Sequence, residues 1–280
     1  MSTFIYATDC SQHAVPALQY AHLISQKMDA KLAVLNVYSI PPISISVSRA
    51  PKQVKRLDAD GHEQAVLKYC RENIEYDLDK LNVTTEAIEN TSVVEAVLKR
   101  AKQLEAELII VGRKDEYSKR GMFAGDIALT LIEKSRIPLL ITPNTFSKKQ
   151  IDTIVYASDL EDKDIEAIYR LSKIAKVFDA KIHVFHVSTN KEYAGSYQME
   201  WFKEMLTTKI NYDKLLFHTS FTSNIYEELN NYLNTSKADL LVMLEREGIG
   251  LFGRFFHEDL VKRMEAQINI PLLCFNDRAL

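Results

Sequence analysis

The chain has 280 residues, 46% of them hydrophobic, enough for one large core or two ordinary ones. Charged residues make up 26%, both signs are interspersed and the net charge is -3, so no basic field exists to hold a phosphate polymer and a general nucleic-acid binder is excluded. Met1 to Asp9 lacks a basic stretch followed by an apolar core, and no apolar run approaches the roughly 20 residues that cross a bilayer, so a cytoplasmic protein without membrane contact is expected.

Short runs rich in Val, Ile and Leu predict strands at Thr3 to Thr8, Lys31 to Tyr38, Val83 to Ile88, Leu108 to Val111 and Ile137 to Thr142. Amphipathic stretches predict helices between them near Ala14 to Met28, Lys52 to Asn82, Ser92 to Glu105 and Ile127 to Lys134. The third of these opens with a Ser92-Val-Val-Glu95 capping box. Prolines in Ser39 to Pro51 leave an extended loop or edge segment after the second strand. Beyond the polar connector at Asn144 to Gln150 the order recurs. Strands are expected near Thr153 to Ala157, Lys181 to Val187, Lys214 to His218, Leu240 to Leu244 and Pro271 to Phe275. Helices are expected at Asp162 to Phe178, Tyr193 to Tyr212, Asn224 to Thr235 and Glu258 to Ile268. Strands that lose polar alternation and alternate with helices belong to a parallel sheet covered on both faces.

The recurrence is also written in the residues. Shifted by 150 positions, Phe4-Ile-Tyr-Ala-Thr-Asp9 falls on Ile154-Val-Tyr-Ala-Ser-Asp159, and Asp29-Ala-Lys-Leu-Ala-Val-Leu-Asn-Val37 falls on Asp179-Ala-Lys-Ile-His-Val-Phe-His-Val187. Later the register changes, but Glu105-Ala-Glu-Leu-Ile-Ile-Val111 still resembles Lys237-Ala-Asp-Leu-Leu-Val-Met243, and Ile137-Pro-Leu-Leu140 matches Ile270-Pro-Leu-Leu273. The chain therefore reads as an α/β protein of two tandem, doubly wound, five-stranded parallel-sheet domains, at residues 1–145 and 150–280.

On these motifs the sequence resembles the universal stress protein family over essentially its whole length. The resemblance implies ligands at the carboxyl ends of the strands, where strand order switches, and it would gather Asp9, Val37, Gly112 and Gly125 there as cofactor-binding residues. Its nucleotide-binding branch follows the fourth strand with Gly-x-x-Gly, nine residues and Gly-Ser or Gly-Thr, a phosphate cradle of backbone amides. Counted from Gly112, the second glycine position is Asp115 and the Gly-Ser position is Gly125-Asp126. Carboxylates would thus stand where phosphates go, partly offset by Arg113, Lys114, Lys119 and Arg120. Alternatively Asp126 caps a helix and Asp115 is solvated. The second copy carries Leu244, Glu247 and His257-Glu258 at these positions, and its Gly248-Ile-Gly250-Leu-Phe-Gly253 follows a fourth strand, not a first, which suits a loop better than a dinucleotide site.

Catalytic constellations are not found. His183 and His186, three apart on one strand, face opposite ways and suit packing. Cys10, which would face the cleft, has no flanking base, and Cys10, Cys70 and Cys274 read as reduced thiols, with no disulfide or metal site. The aromatic helix containing Trp201 and Phe202 reads as a core stripe, and Gly253-Arg-Phe-Phe256 as core or docking point. The expectation is a non-enzymatic, stress-linked binding or regulatory protein, the two domains forming an internal pseudo-dimer through their final strands. Protein partners are unnamed, a homodimer is possible, and no cofactor is expected. The alternative is an adenine-nucleotide sensor or slow ATPase using the first domain, with AMP or ATP at Asp9, Val37, Gly112 and Gly125. A small hydrophobic ligand held between the domains is a third reading.

Overall fold

The computed structural model describes residues 1–39, 59–74, 82–113, 124–145, 150–188, 195–246 and 257–280. In the first half, strands β1 (Thr3–Thr8), β2 (Lys31–Tyr38), β3 (Val83–Glu89), β4 (Leu108–Gly112) and β5 (Leu139–Thr142) alternate with helices α1 (Val15–Lys27), α2 (Ala59–Asn73), α3 (Val93–Gln103) and α4 (Ala124–Lys134). The second half repeats this with β6 (Thr153–Ala157), β7 (Lys181–Ser188), β8 (Leu215–Phe221), β9 (Leu240–Glu245) and β10 (Leu272–Asn276). Its helices are α5 (Asp162–Phe178), α6 (Gly195–Lys209), α7 (Ile225–Thr235) and α8 (His257–Gln267). The 40–51 stretch, the charged loop at 114–120 and the glycine-rich 248–253 segment with its Phe-Phe pair lie outside the described residues.

All the strands join one sheet in the order β3-β2-β1-β4-β5-β10-β9-β6-β7-β8. Every pairing is parallel except the central one, where the two final strands meet antiparallel, Leu140 opposite Leu273. Strand residues alternate between the two faces because the pleat has a period of two. On one face Tyr6, Val34 and Ile110 meet buried residues of α1, α2, α5 and α6. On the other, Ile5, Leu35 and Ile109 meet those of α3, α4, α7 and α8. The result is a three-layer α/β sandwich whose two apolar layers run through both halves.

The junction carries reciprocal side-chain ties as well. The Arg113 guanidinium donates to the carbonyls of Glu265 and Ile268 at the end of α8. Asn276 Nδ2 donates to the Ile132 carbonyl near the end of α4 at 3.2 Å. Each half thus supplies donors to last-turn carbonyls that a helix cannot satisfy by itself.

The two halves also share backbone strain. Positive-φ residues fall in matched pairs, Cys10 with Leu160 (58° and 62°), Asp29 with Asp179 (49° and 57°) and Glu105 with Lys237 (49° and 53°). The last two pairs end α1, α5, α3 and α7, and each is followed by a buried alanine whose N–H bonds back into the last helical turn, as Ala30 does to Ser25. This is the left-handed helix stop usually taken by glycine. The capping box at α3 forms only halfway: Ser92 Oγ accepts from Glu95 N–H at 3.3 Å, while the Ser92 N–H goes to Asn90 Oδ1 at 2.8 Å.

The aromatic helix α6 divides its residues. Phe202 is fully buried, but Trp201 is 44% exposed, so the core-stripe expectation holds for the first and fails for the second. Among the described residues no helix is long and apolar enough to cross a membrane.

Candidate functional site

In the first half the strand order reverses between β1 and β4, whose connections leave on opposite sides and open a crevice at their carboxyl ends. A cleft of 170 Å³ lies there. Leu35, Val37, Val93, Val111, Ile127 and Ala128 give it an apolar floor, and Thr8, Asp9, Ser11, His13, Arg113 and Asn144 a polar rim. Asp9, Val37 and Gly112 thus meet in one cleft, while Gly125 lies in the first turn of α4. Asp126 follows it in that turn, and Asp115 is outside the described residues. A methyl group at Gly112 would sit 3.3 Å from the Cβ of fully buried Ala17 and 3.6 Å from Asn144 Oδ1, so the glycine lets α1 pack close against the end of β4.

The polar groups ending β1 already have structural work. Thr8 Oγ1 accepts the Cys10 N–H at 3.0 Å, and Asp9 Oδ1 accepts the Ser11 N–H at 2.9 Å. Asn36 Nδ2 holds the Thr8 carbonyl at 2.9 Å. Cys10 does not face the cleft as expected: with its backbone at positive φ it packs, half-buried, against the core layer of α1 and α2. Burial, reinforced by Cys10, pushes the neighbouring Cys70 thiol up to about 12, which keeps it protonated and unreactive.

The equivalent place in the second half carries different side chains. Leu244 stands where Gly112 does and is buried in the core layer beside α5. Asp164 stands where Ala14 does, 1% exposed, and gathers a dense set of donors. Tyr156 Oη donates to Oδ1 at 2.8 Å, Ser158 Oγ to Oδ2 at 2.9 Å, and the N–H groups of Asp159 and Glu161 to Oδ2 at 3.0 and 3.2 Å. Arg246, just past β9, reaches the same carboxylate from the far side with Nη2 at 2.9 Å, lies 3.6 Å from Asp159 and also pairs with Glu161. Across the rim Lys163 pairs with Asp277 at 2.9 Å, where the first half has His13 and Asn144. Burial, then the charge of Asp159, pushes the Asp164 carboxyl up to about 7.

Leu244 therefore adds a side chain against α5 where Gly112 has none, and Arg246 ties the loop after β6 to the end of β9. Sequence reading missed this lock because Arg246 and Asp164 are 82 residues apart. The signal lay in the 150-residue shift, which sets an acid, Asp164, against Ala14 while keeping the tyrosine that contacts each.

His183 and His186 take different partners, Tyr232 Oη at 2.9 Å and the Ser158 carbonyl at 2.8 Å. Among the described residues no group of three or more metal-ligating side chains converges.

Comparison with known proteins agrees with this architecture. Residues 1–143 match the sequence model of the universal stress protein family. A universal stress protein from Archaeoglobus fulgidus DSM 4304 is similar in structure, with a TM-score of 0.69, 13% identity and coverage of 98% of each chain. A functionally unknown protein from Pseudomonas aeruginosa PAO1 superposes with a TM-score of 0.66 at 14% identity, over 99% of this chain and 92% of that one. The cytoplasmic domain of a prokaryotic cation chloride cotransporter gives 0.56 at 8% identity, over 100% and 97%. At such identities these structures share the fold. No curated protein matches in sequence. The match over the first 143 residues, on a doubly wound sheet that the second half repeats, places this chain in the universal stress protein family.

Proposed function

We propose that the chain is a cytoplasmic, non-enzymatic binding and regulatory protein of the stress response, in which the first half keeps an accessible cleft and the second has exchanged its cleft for stability. The observation that carries this reading is the contrast between the two crevices. One is a 170 Å³ cleft beside Gly112; the other holds Leu244 and the Arg246–Asp164 pair. A binding role is supported by the rim groups at the end of β1, since Thr8 and Asp9 hold their own turn and so keep the rim preformed.

The second reading is an adenine-nucleotide sensor using the first half. It is favoured by the cleft's place at the switch point, with an apolar floor suited to a base and Arg113 on the rim. Calorimetric titration with AMP, ADP and ATP in magnesium, together with a phosphate-release assay, tests both. The proposal expects no phosphate release and no micromolar binding. Micromolar binding without turnover would favour the sensor, and sustained phosphate release would end the non-enzymatic reading.

A further inference from the structure

Helix α6 presents three large apolar side chains to solvent. Tyr197, Trp201 and Met205 are 82%, 44% and 45% exposed. Spaced four apart, they form one stripe, since each step of four advances only about 40° around a helix. The core face is a different one, made by Phe202, Leu206 and Ile210 at the end of the helix.

The fold does not demand this stripe, because the other repeat lacks it. Helix α2 occupies the same place and buries Val66, Cys70 and Ile74 at the same spacing. Aligned on these residues, Gly61 and Ala65 stand where α6 carries Tyr197 and Trp201, and the third position, Tyr69, is turned into the core. The second repeat thus spends bulky, rigid aromatics on a face where its twin uses small residues. Exposed Tyr and Trp flanked by polar groups are the composition of interaction anchors.

Charge selects the occupant. Glu200 and Glu204, both exposed, lie along one flank of the stripe. Among the described residues no ion pair reaches either. The cations of α6 are engaged elsewhere, Lys209 with Glu166 at 3.2 Å and Lys203 over the Phe217 ring. A second copy fits poorly, because a two-fold axis between antiparallel helices sets like flank against like flank and would bring the four carboxylates together. Anionic lipid is repelled for the same reason. We propose that the α6 stripe is a docking site for a basic amphipathic helix of a partner protein, with apolar residues over Tyr197, Trp201 and Met205 and lysines or arginines along Glu200 and Glu204.

Trp201 is the only tryptophan in the chain, so its emission reports the site directly. The probe is a synthetic Leu/Lys peptide of about five helical turns, with a Leu/Glu peptide and neutral and anionic phosphatidylcholine/phosphatidylserine vesicles as comparators. The expected result is a saturable blue shift with the Lys peptide alone, weakening as salt is raised. The charge-reversed E200K/E204K protein should bind the Lys peptide at least about tenfold more weakly with an unchanged melting temperature, as should Trp201→Ala followed by anisotropy of labelled peptide. No shift with the Lys peptide, or equal binding by the charge-reversed protein, would overturn the proposal. A shift on raising protein concentration alone would replace it with self-association, and a shift with vesicles but not peptide with a membrane surface.

Discussion

Replacing Arg246 by alanine should destabilise the protein strongly, and more so as pH rises. The substitution leaves Asp164, 1% exposed, with its hydroxyl and amide donors but without a counter-charge, beside Asp159. Removing one partner of a buried ion pair costs about 3–5 kcal/mol. The Asp159 and Glu161 side chains are 33% and 63% exposed, so solvent screens their share and the loss falls mainly on Asp164. About 3 kcal/mol near pH 8 is therefore expected. The sign with pH follows from the carboxyl, which burial raises from 3.8 to about 7 in the folded protein. An acid whose pKa is raised on folding contributes stability that is complete at low pH and is lost as pH rises between those two values. Losing Arg246 raises the folded value further, so the penalty should shrink to about 1 kcal/mol near pH 5, where the carboxyl is protonated and needs no cation. Urea unfolding followed by circular dichroism at the two pH values measures this, and Asp164→Asn added to Arg246→Ala should recover part of the loss at the higher pH. A loss below about 0.5 kcal/mol at pH 8, or an equal loss at both pH values, would refute the view that Arg246 neutralises a buried acid.

Lys237→Gly should raise stability by about 1 kcal/mol, because the lysine holds φ at 53° where glycine bears no Cβ penalty; a lower urea midpoint would contradict this. The rings of His183 and His218 lie 5.4 Å apart on neighbouring strands, and burial lowers both pKa values, His183 further through His218 and Lys181. A base with a depressed folded pKa contributes stability that is present above the unfolded value of 6.5 and lost as pH falls below it, so His218→Gln should flatten the melting-temperature profile on the acid side. Gly112→Ala should cost about 1 kcal/mol, since its methyl meets the buried Ala17 Cβ at 3.3 Å and Asn144 Oδ1 at 3.6 Å, a contact relieved by a shift of a few tenths of an ångström; a loss of several kcal/mol in urea unfolding would show that α1 cannot yield against β4.

Where one face of an element carries the whole signal, the sequence was readable to the residue. Strands β1 and β2 and helix α5 fall at the expected limits, because apolar runs there end at repeated Asp or Asp-Ala-Lys punctuation. Helix α4 begins at Ala124, ahead of the expected Ile127, since its first turn carries no apolar period. Strand β8 runs to Phe221, past the expected His218, because it is an edge strand and Thr219 and Ser220 disguise its end. Trp201 was taken for core because it adjoins Phe202, and only the rotation of the helix separates them. Within the cleft, Asp9, Val37 and Gly112 were legible as strand ends, a property of topology. The locked counterpart was not, because it depends on a pair joined only by folding, Arg246 after β9 and Asp164 in the first turn of α5.

Hydrogen exchange read by mass spectrometry over the two loops that follow β1 and β6 tests the asymmetry of the clefts most directly. The N–H groups of Asp159 and Glu161 donate to buried Asp164 and that of Leu160 to Ser158, whereas the N–H of Ser11 donates to an exposed Asp9. Peptides covering 158–164 should exchange at least about tenfold more slowly than those covering 8–14, and Arg246→Ala should erase most of the difference. Equal exchange in the two loops of the wild-type protein would contradict a second half sealed by Arg246.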